Sequence, residues 1–405
     1  IRETTDEHGE RRYGMKRIGA VLSLLLLATV ISVLAFAPGR IERNLNRIDT
    51  VAAGGTADAR AVALHASLFV ADLHADSLMW ARDFLQRGNR GHVDLPRLVE
   101  GNVALQVLTT VTRSPHGLNY ESNAADARDD ITLLALVQRW PPRTWDSLTE
   151  RALYQAERLE GFVARSQGGL RVIRTRGDLE SLIAQRGSGA TTVGAVLGTE
   201  GSHALDGKLE NIGRLHEAGF RIMGLQHFFD NALGGSLHGT SRAGLSEFGR
   251  AALAEMLRRG IVIDVAHSSP AVVEDVLAAT DAPLLVSHTG TYGHCPGPRN
   301  IPDALMQRIA ARGGLIGIGF WAEAICDASP AGIAAALDAA VALLGEDAVA
   351  LGSDFDGAVT TTIDAAGMSA ITAALLARGV DERRIVKLMG GNVRDFLLRS
   401  LPPAP

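Results

Sequence analysis

Six short pieces of this 405-residue sequence carry imidazoles and carboxylates at spacings that suit a metal centre. They are His74-Ala75-Asp76, Gly198-Thr199-Glu200-Gly201, Gln226-His227, Ala266-His267, Ser287-His288 and Ser353-Asp354-Phe355-Asp356. In an extended strand, positions i and i+2 project to one side, so His74 and Asp76 can chelate one ion together. Imidazole and carboxylate donors make a mixed N/O set that suits Zn2+ and also admits Mn2+ or Co2+. A central glutamate such as Glu200 would bridge two ions. A dinuclear site lowers the pKa of a bridging water and clamps both reacting oxygens, the logic of metal-assisted hydrolysis. One histidine at a strand end is more often a hydrogen-bonded structural residue; its recurrence at several strand ends argues for the metal.

The elements that must position these groups are legible in the same residues. Short apolar, β-branched runs at 68–73, 103–111, 192–197, 221–226, 261–266, 283–287, 315–320 and 349–353 alternate with helical patterns at 205–217, 247–259, 270–279, 302–311 and 330–344. That alternation predicts an α/β fold with parallel strands, and eight such units predict a TIM-type (β/α)8 barrel. The long gap at 112–190 reads as a helical insertion, with helices at 126–139 and 147–166, and two more helices at 368–376 and 381–399 close the chain. Ser269-Pro270 and Ser329-Pro330 are cap and first-turn pairs, while Gly219, Gly260 and Gly313 stand where helices should stop. In such barrels chemistry sits at the C-terminal ends of strands, where the six pieces fall. Gly234-Gly235, Gly313-Gly314 and Gly390-Gly391 lack a phosphate-binding pattern and read as turns.

Composition narrows the function further. With 46% hydrophobic and 21% charged residues the chain is globular, and its 40 Lys and Arg are scattered among 45 acids for a net charge of −5, so no nucleic-acid surface is expected. Two cysteines exclude a disulfide-framework scaffold and a four-cysteine zinc module, which leaves histidines and carboxylates to hold any metal. Residues 18–37 are uncharged, apolar and long enough to cross a bilayer as a helix. Ala35-Phe36-Ala37 has the small-x-small pattern of a signal-peptidase site, but Pro38 follows it, so an uncleaved anchor is the favoured reading and a secreted form the alternative. Flanking positive charges on both sides leave orientation open. The division expected is a tail or start-site artefact at 1–17 (Met15-Lys16-Arg17 is a natural start), an anchor at 18–37, a linker at 38–61 and a barrel domain at 62–400.

Taken in order, these motifs together with Ile263-Asp264-Val265-Ala266-His267-Ser268, Arg299-Asn300-Ile301-Pro302-Asp303 and Gly352-Ser353-Asp354-Phe355-Asp356-Gly357 resemble the membrane dipeptidase family of zinc peptidases. The resemblance spans residues 68–398. It implies that His74 and Asp76 bind one zinc, His267 and His288 a second, and that Glu200 bridges them. It further implies that His227 polarises the substrate carbonyl or holds the tetrahedral intermediate, that Arg299 pairs with the C-terminal carboxylate of a dipeptide, and that Asp354 handles the proton. A guanidinium is the natural fork for a carboxylate, and an acid beside an activated water is a natural shuttle. Asp356 competes with Asp354 for that role, with Asp354 preferred as the first acid after the run. Ser202-His203 and His294 are candidates to support the metal residues. Phe228-Phe229-Asp230-Asn231 is bulkier than the family's usual small and polar residues, which bears on the substrate-pocket wall.

Cys295 and Cys326 fall on loops at the same end of neighbouring strands, and relatives carry a disulfide at matching places, which an extracytoplasmic domain permits. Relatives also tend to be dimers. Two rival readings are an amidohydrolase-type enzyme acting on another amide or ester, which usually shows H-x-H where this chain has His74-Ala75-Asp76, and a barrel that keeps its metal without catalysis.

Overall fold

The eight apolar runs become strands because each is buried on both faces, the setting in which a parallel strand needs no polar alternation. A computed structural model describes residues 7–49 and 58–403. The strands are β1 (Val70–Ala75), β2 (Val103–Val111), β3 (Val193–Glu200), β4 (Phe220–Gly224), β5 (Val262–Asp264), β6 (Leu285–Thr289), β7 (Leu315–Ile318) and β8 (Val349–Leu351). They run in the order β2-β1-β8-β7-β6-β5-β4-β3, and β2 pairs with β3 from Leu105↔Gly194 to Val111↔Glu200, which closes the sheet into the expected barrel. Helices surround it, and the predicted helix at Pro270–Ala279 starts on the Ser269 side chain, which accepts from the Val272 amide. Gly317 and Gly352 permit a close approach at the barrel centre: a Cβ on either would sit 2.1 or 2.0 Å from the Ser287 carbonyl.

The insertion holds helices Asp130–Val137, Arg143–Asp146, Leu148–Arg165 and Arg176–Gly187. Arg151, almost wholly buried, ties it to the end of β2 by donating to the Thr112 carbonyl at 2.8 Å and pairing with Asp129 at 2.5 Å. A three-residue strand, Leu170–Val172, pairs with the first residues of β3 and has no counterpart among the predicted runs. The last predicted helix is broken in two, Glu382–Val386 and Asn392–Ser400, around a wide turn. Gly390 sits at the break because a Cβ there would lie 2.0 Å from the Phe69 carbonyl.

One helix, Glu7–Leu45, contains the apolar stretch and is the single helix among the described residues long and apolar enough to cross a membrane. It runs past the boundary expected at residue 37 and through Pro38. A proline there frees the carbonyl one turn earlier, Leu34, and Arg139 of the insertion donates to it at 3.5 Å. After the helix, Arg47–Ile48 pairs in parallel with Thr360–Thr361. Of the expected linker, residues 50–57 lie outside the described residues, as do residues 1–6 of the expected tail.

Candidate active site

Four imidazoles converge on one carboxylate at the C-terminal end of the barrel. Glu200, the last residue of β3, has Oε1 3.5 Å from His74 Nε2, 3.3 Å from His267 Nε2 and 3.5 Å from His288 Nε2, while its Oε2 lies 3.3 Å from His227 Nε2. All five side chains are buried. The donor atoms of His74, Glu200, His288 and Asp354 lie within 4.8 Å of one another, and so do those of Glu200, His227 and His267. Asp76 Oδ1 is 3.7 Å from His74 Nε2 and accepts from the Thr109 hydroxyl at 2.6 Å. Glu200 thus belongs to both groups, and His74 lies close both to His288 and Asp354 within its group and to Asp76 beside it.

The rings are aimed from behind. His227 Nδ1 lies 3.2 Å from the Arg113 carbonyl and donates to it, which turns Nε2 toward the cluster. The Ser287 hydroxyl touches both His74 Nδ1 at 3.1 Å and His288 Nδ1 at 2.9 Å. Two carboxylates inside the barrel fix the strand ends that carry these groups. Asp264 accepts from the Ser287 amide at 3.0 Å, one residue before His288, and Asp72 accepts from the Ser353 amide and hydroxyl at 2.7 Å, one residue before Asp354. Two of the candidates, His267 (φ 60°) and Asp354 (φ 61°), sit in left-handed backbone, a strain that side chains of these types bear at functional positions.

The electrostatics suit a cation. Burial, with the Arg299 guanidinium nearby, pushes the His267 imidazole well below its usual range, and burial with His74 and Arg299 does the same to His288. Neutral imidazoles are the form that ligates a metal. Burial opposes ionisation of Glu200, yet His227, His267 and His74 around it hold its carboxyl well below the usual range. Burial pushes Asp354 the other way, well above the usual carboxylate range, against the pull of His74. Burial opposes a charge on His74 as well, yet the Asp76 and Glu200 carboxylates push that imidazole well above its usual range. The neutral His267 and His288 imidazoles beside the ionised Glu200, with His74 drawn to the same carboxylates, fit a divalent metal.

Arg299 reaches the same place from the loop after β6. It is 2% exposed, donates from Nη2 to the His288 carbonyl at 2.7 Å and stands 3.5 Å from His267 Nε2, while its buried Nε has no hydrogen-bond partner. A buried guanidinium with a free donor beside the cluster can take an anionic group. The two competing acids are placed differently. Asp356 is committed to the Ser77 hydroxyl at 2.6 Å, the His92 amide at 2.6 Å and the Arg82 guanidinium, whereas Asp354 Oδ1 lies 4.0 Å from His74 Nε2. Cys295 and Cys326 form a disulfide. Of the four residues 228–231, Phe228 lines the cavity beside the cluster; Phe229 is buried under Arg113, and Asp230 and Asn231 hold backbone groups of their own loop. Ser202 donates away from the cluster, to the Gly224 carbonyl at 2.8 Å. The sequence reading missed Tyr120, in the insertion, whose hydroxyl accepts from Trp321 Nε1 at 3.0 Å, beside the ring under Arg299. It also missed Asp72 and Asp264, for which a carboxylate inside an apolar run was the available signal.

The sequence model of one protein family, described as membrane dipeptidase (peptidase family M19), matches residues 58–397, which include every residue of this cluster. The chain belongs to that family. Among its relatives the dipeptidase aclJ of Aspergillus oryzae is 31% identical over 356 residues, covering 80% of this chain and 76% of the relative. The membrane dipeptidase fold is equally plain in solved structures. A metallopeptidase named dipeptidase AC superposes with a TM-score of 0.68 at 27% identity, over 83% of this chain and 99% of its own. A metallopeptidase from Rhodobacter sphaeroides, liganded with a phosphinate mimic of the dipeptide L-Ala-D-Ala, gives 0.66 at 26% identity, over 82% and 99%. As a membrane dipeptidase family member the chain is a metal-dependent hydrolase of dipeptides, and the buried His/Glu/Asp cluster is its metal-binding centre.

Proposed function

We propose that the centre holds two Zn2+ ions, with His74 and Asp76 on one, His267 and His288 on the other and Glu200 shared, and that it hydrolyses the peptide bond of dipeptides outside the cytoplasm. The observation that carries this reading is the convergence of four Nε2 atoms on the two oxygens of Glu200, between 3.3 and 3.5 Å away. Bound there, the metal supplies the Lewis acidity that makes water a nucleophile at neutral pH.

The chain's own groups do the rest. Arg299 grips the C-terminal carboxylate through its unpartnered Nε and so fixes the register of the scissile bond. His227, whose Nδ1 is held by the Arg113 carbonyl, turns Nε2 toward the carbonyl oxygen, where an N–H donor steadies the charge that grows on it. Asp354, whose carboxyl burial keeps protonated to unusually high pH, holds a proton and passes it to the departing amine. The apolar helix Glu7–Leu45 serves as a membrane anchor, and the Cys295–Cys326 bridge supports an oxidising, extracytoplasmic location.

A dipeptide library tested on metal-loaded protein, with tripeptides and N-acetylated dipeptides as controls and with L- and D-configured C-terminal residues, examines the reading. Cleavage of free dipeptides with little or no cleavage of the controls is expected. Cleavage of the controls at comparable rates overturns the dipeptide limit, and full activity with one equivalent of metal by elemental analysis overturns the two-ion assignment.

A further inference from the structure

The cavity that opens beside the cluster has a volume of about 540 Å3, and its lining joins Asp76, Glu200 and His227 to Ile41 and Leu45 from the last turns of the long N-terminal helix. Those two residues lie outside the region, 58–397, that the family match covers. Their neighbours around the cavity include Met79, Leu118, Ile131 and Leu134, so this wall is apolar. The polar groups beside this wall, Arg128, His116 and Asp130, are occupied with one another, His116 Nδ1 lying 3.0 Å and Arg128 Nη2 3.5 Å from Asp130 Oδ1.

The segment that brings Ile41 and Leu45 here is fastened between the two residues and just after the second. Glu42, 1% exposed, pairs with Arg82 at 2.9 Å and with Arg90 at 2.6 Å, and Arg82 also pairs with Asp356. Asn46 Oδ1 accepts from the Ala358 amide at 2.8 Å, His92 Nε2 lies 3.1 Å from the Arg47 carbonyl, and Arg47–Ile48 adds a parallel pairing to Thr360–Thr361. Leu45 itself stays 43% exposed and lines the cavity. Buried charges bound by several partners fix one geometry, which is what a substrate wall requires.

Neither Arg299 nor His267 nor His288 lines this cavity. A dipeptide whose carboxylate is held by Arg299 and whose carbonyl meets the metal centre therefore turns its amino-terminal side chain toward it. We propose that the last turns of the anchoring helix are part of the substrate site: Ile41 and Leu45 contact the side chain of the amino-terminal residue and favour a large apolar one. This inference rests on the dipeptidase reading above.

The test uses the full-length, metal-loaded protein and the ratio of kcat/KM for Leu-Ala to that for Gly-Ala, which is independent of the fraction of active protein. In the double variant Ile41→Ala, Leu45→Ala the ratio should fall by about tenfold, the scale on which lost apolar contacts discriminate between side chains. Leu45→Asp should raise Lys-Ala relative to Leu-Ala by a similar factor, a shift that a purely structural role cannot produce. Ratios unchanged in both variants, whatever happens to the separate rates, overturn the wall. If the parent protein cleaves no dipeptide, the dipeptidase reading fails and this inference with it; cleavage by the parent with unmoved ratios removes only the wall.

Discussion

His267 Nε2 and His288 Nε2 stand 2.8 Å apart, and both face Oε1 of Glu200. Two imidazole nitrogens at that separation share either a proton or a cation. Burial and the nearby Arg299 drive both rings toward the neutral form, the form in which a ring nitrogen can ligate a metal. The metal is therefore part of what keeps this arrangement together, and chelation should lower the thermal midpoint as well as abolish activity. Calorimetry with and without chelator measures it; an unchanged midpoint would show that the cluster stands without its ion.

Glu200 and Asp354 should separate metal binding from rate. Glu200→Gln removes one ligand charge from both proposed ions and should lose metal along with activity. Asp354→Asn should keep its metal and lose about 10²- to 10⁴-fold in kcat, the scale of a lost general acid. Elemental analysis that finds two equivalents in Glu200→Gln would remove its bridging role.

Arg299→Ala should lower kcat/KM for dipeptides by about a hundredfold or more, because a positioned contact between buried charges costs ~2–5 kcal/mol to break. Dipeptide amides, which lack the carboxylate, should be poor substrates for the parent and equally poor for the variant. If the variant harms amides as much as acids, Arg299 is holding the His288 strand end rather than the substrate.

The Cys295–Cys326 bridge closes a loop with a sequence separation of 31 that contains Arg299. Asn300 reinforces it by donating to the Cys295 and Ala324 carbonyls at 2.9 and 2.8 Å. Cys295→Ser with Cys326→Ser should cost about 3 to 4 kcal/mol on the loop-entropy scale. It should also raise KM more than it lowers kcat, since the loop carries Arg299, the proposed carboxylate clamp. Equal stability of parent and variant in denaturant titration would contradict this.

The buried His65, with Nδ1 2.8 Å from the Thr372 hydroxyl and Nε2 3.0 Å from the Gly101 carbonyl, lies away from the metal centre. Burial lowers its pKa from 6.5, so below that pH the unfolded chain takes up a proton that the folded chain refuses. Its contribution is intact above pH 6.5 and is lost as the pH falls below it. Denaturant midpoints at pH 7.5 and 5.5 should differ less in His65→Gln than in the parent, by up to about 1 kcal/mol. A larger loss in the variant would reverse the sign and refute the assignment.

The barrel was legible because a strand buried on both faces writes its length in consecutive apolar residues, as the run at 103–111 does for β2. The buried cluster was legible because His74, Glu200, His267, His288 and Asp354 each stand at or just beyond the end of such a run. What stayed hidden depends on contacts between distant residues. Glu42 reads as one more scattered charge until Arg82, Arg90 and Asp356 surround it. Gly390 reads as a turn in a continuous helix until the Phe69 carbonyl lies against it. Which histidine shares an ion with which is a matter of side-chain direction, and spacing along the chain carries no record of that.

The parallel stitch between Arg47–Ile48 and Thr360–Thr361 has a mechanical meaning. A body on a slack tether would turn freely about it, whereas here the stem is riveted to the rim of the barrel two residues after the helix ends. A displacement of the helix would therefore pass through the rivet to the loop that bears Asp354 and Asp356, rather than being lost in a slack connector.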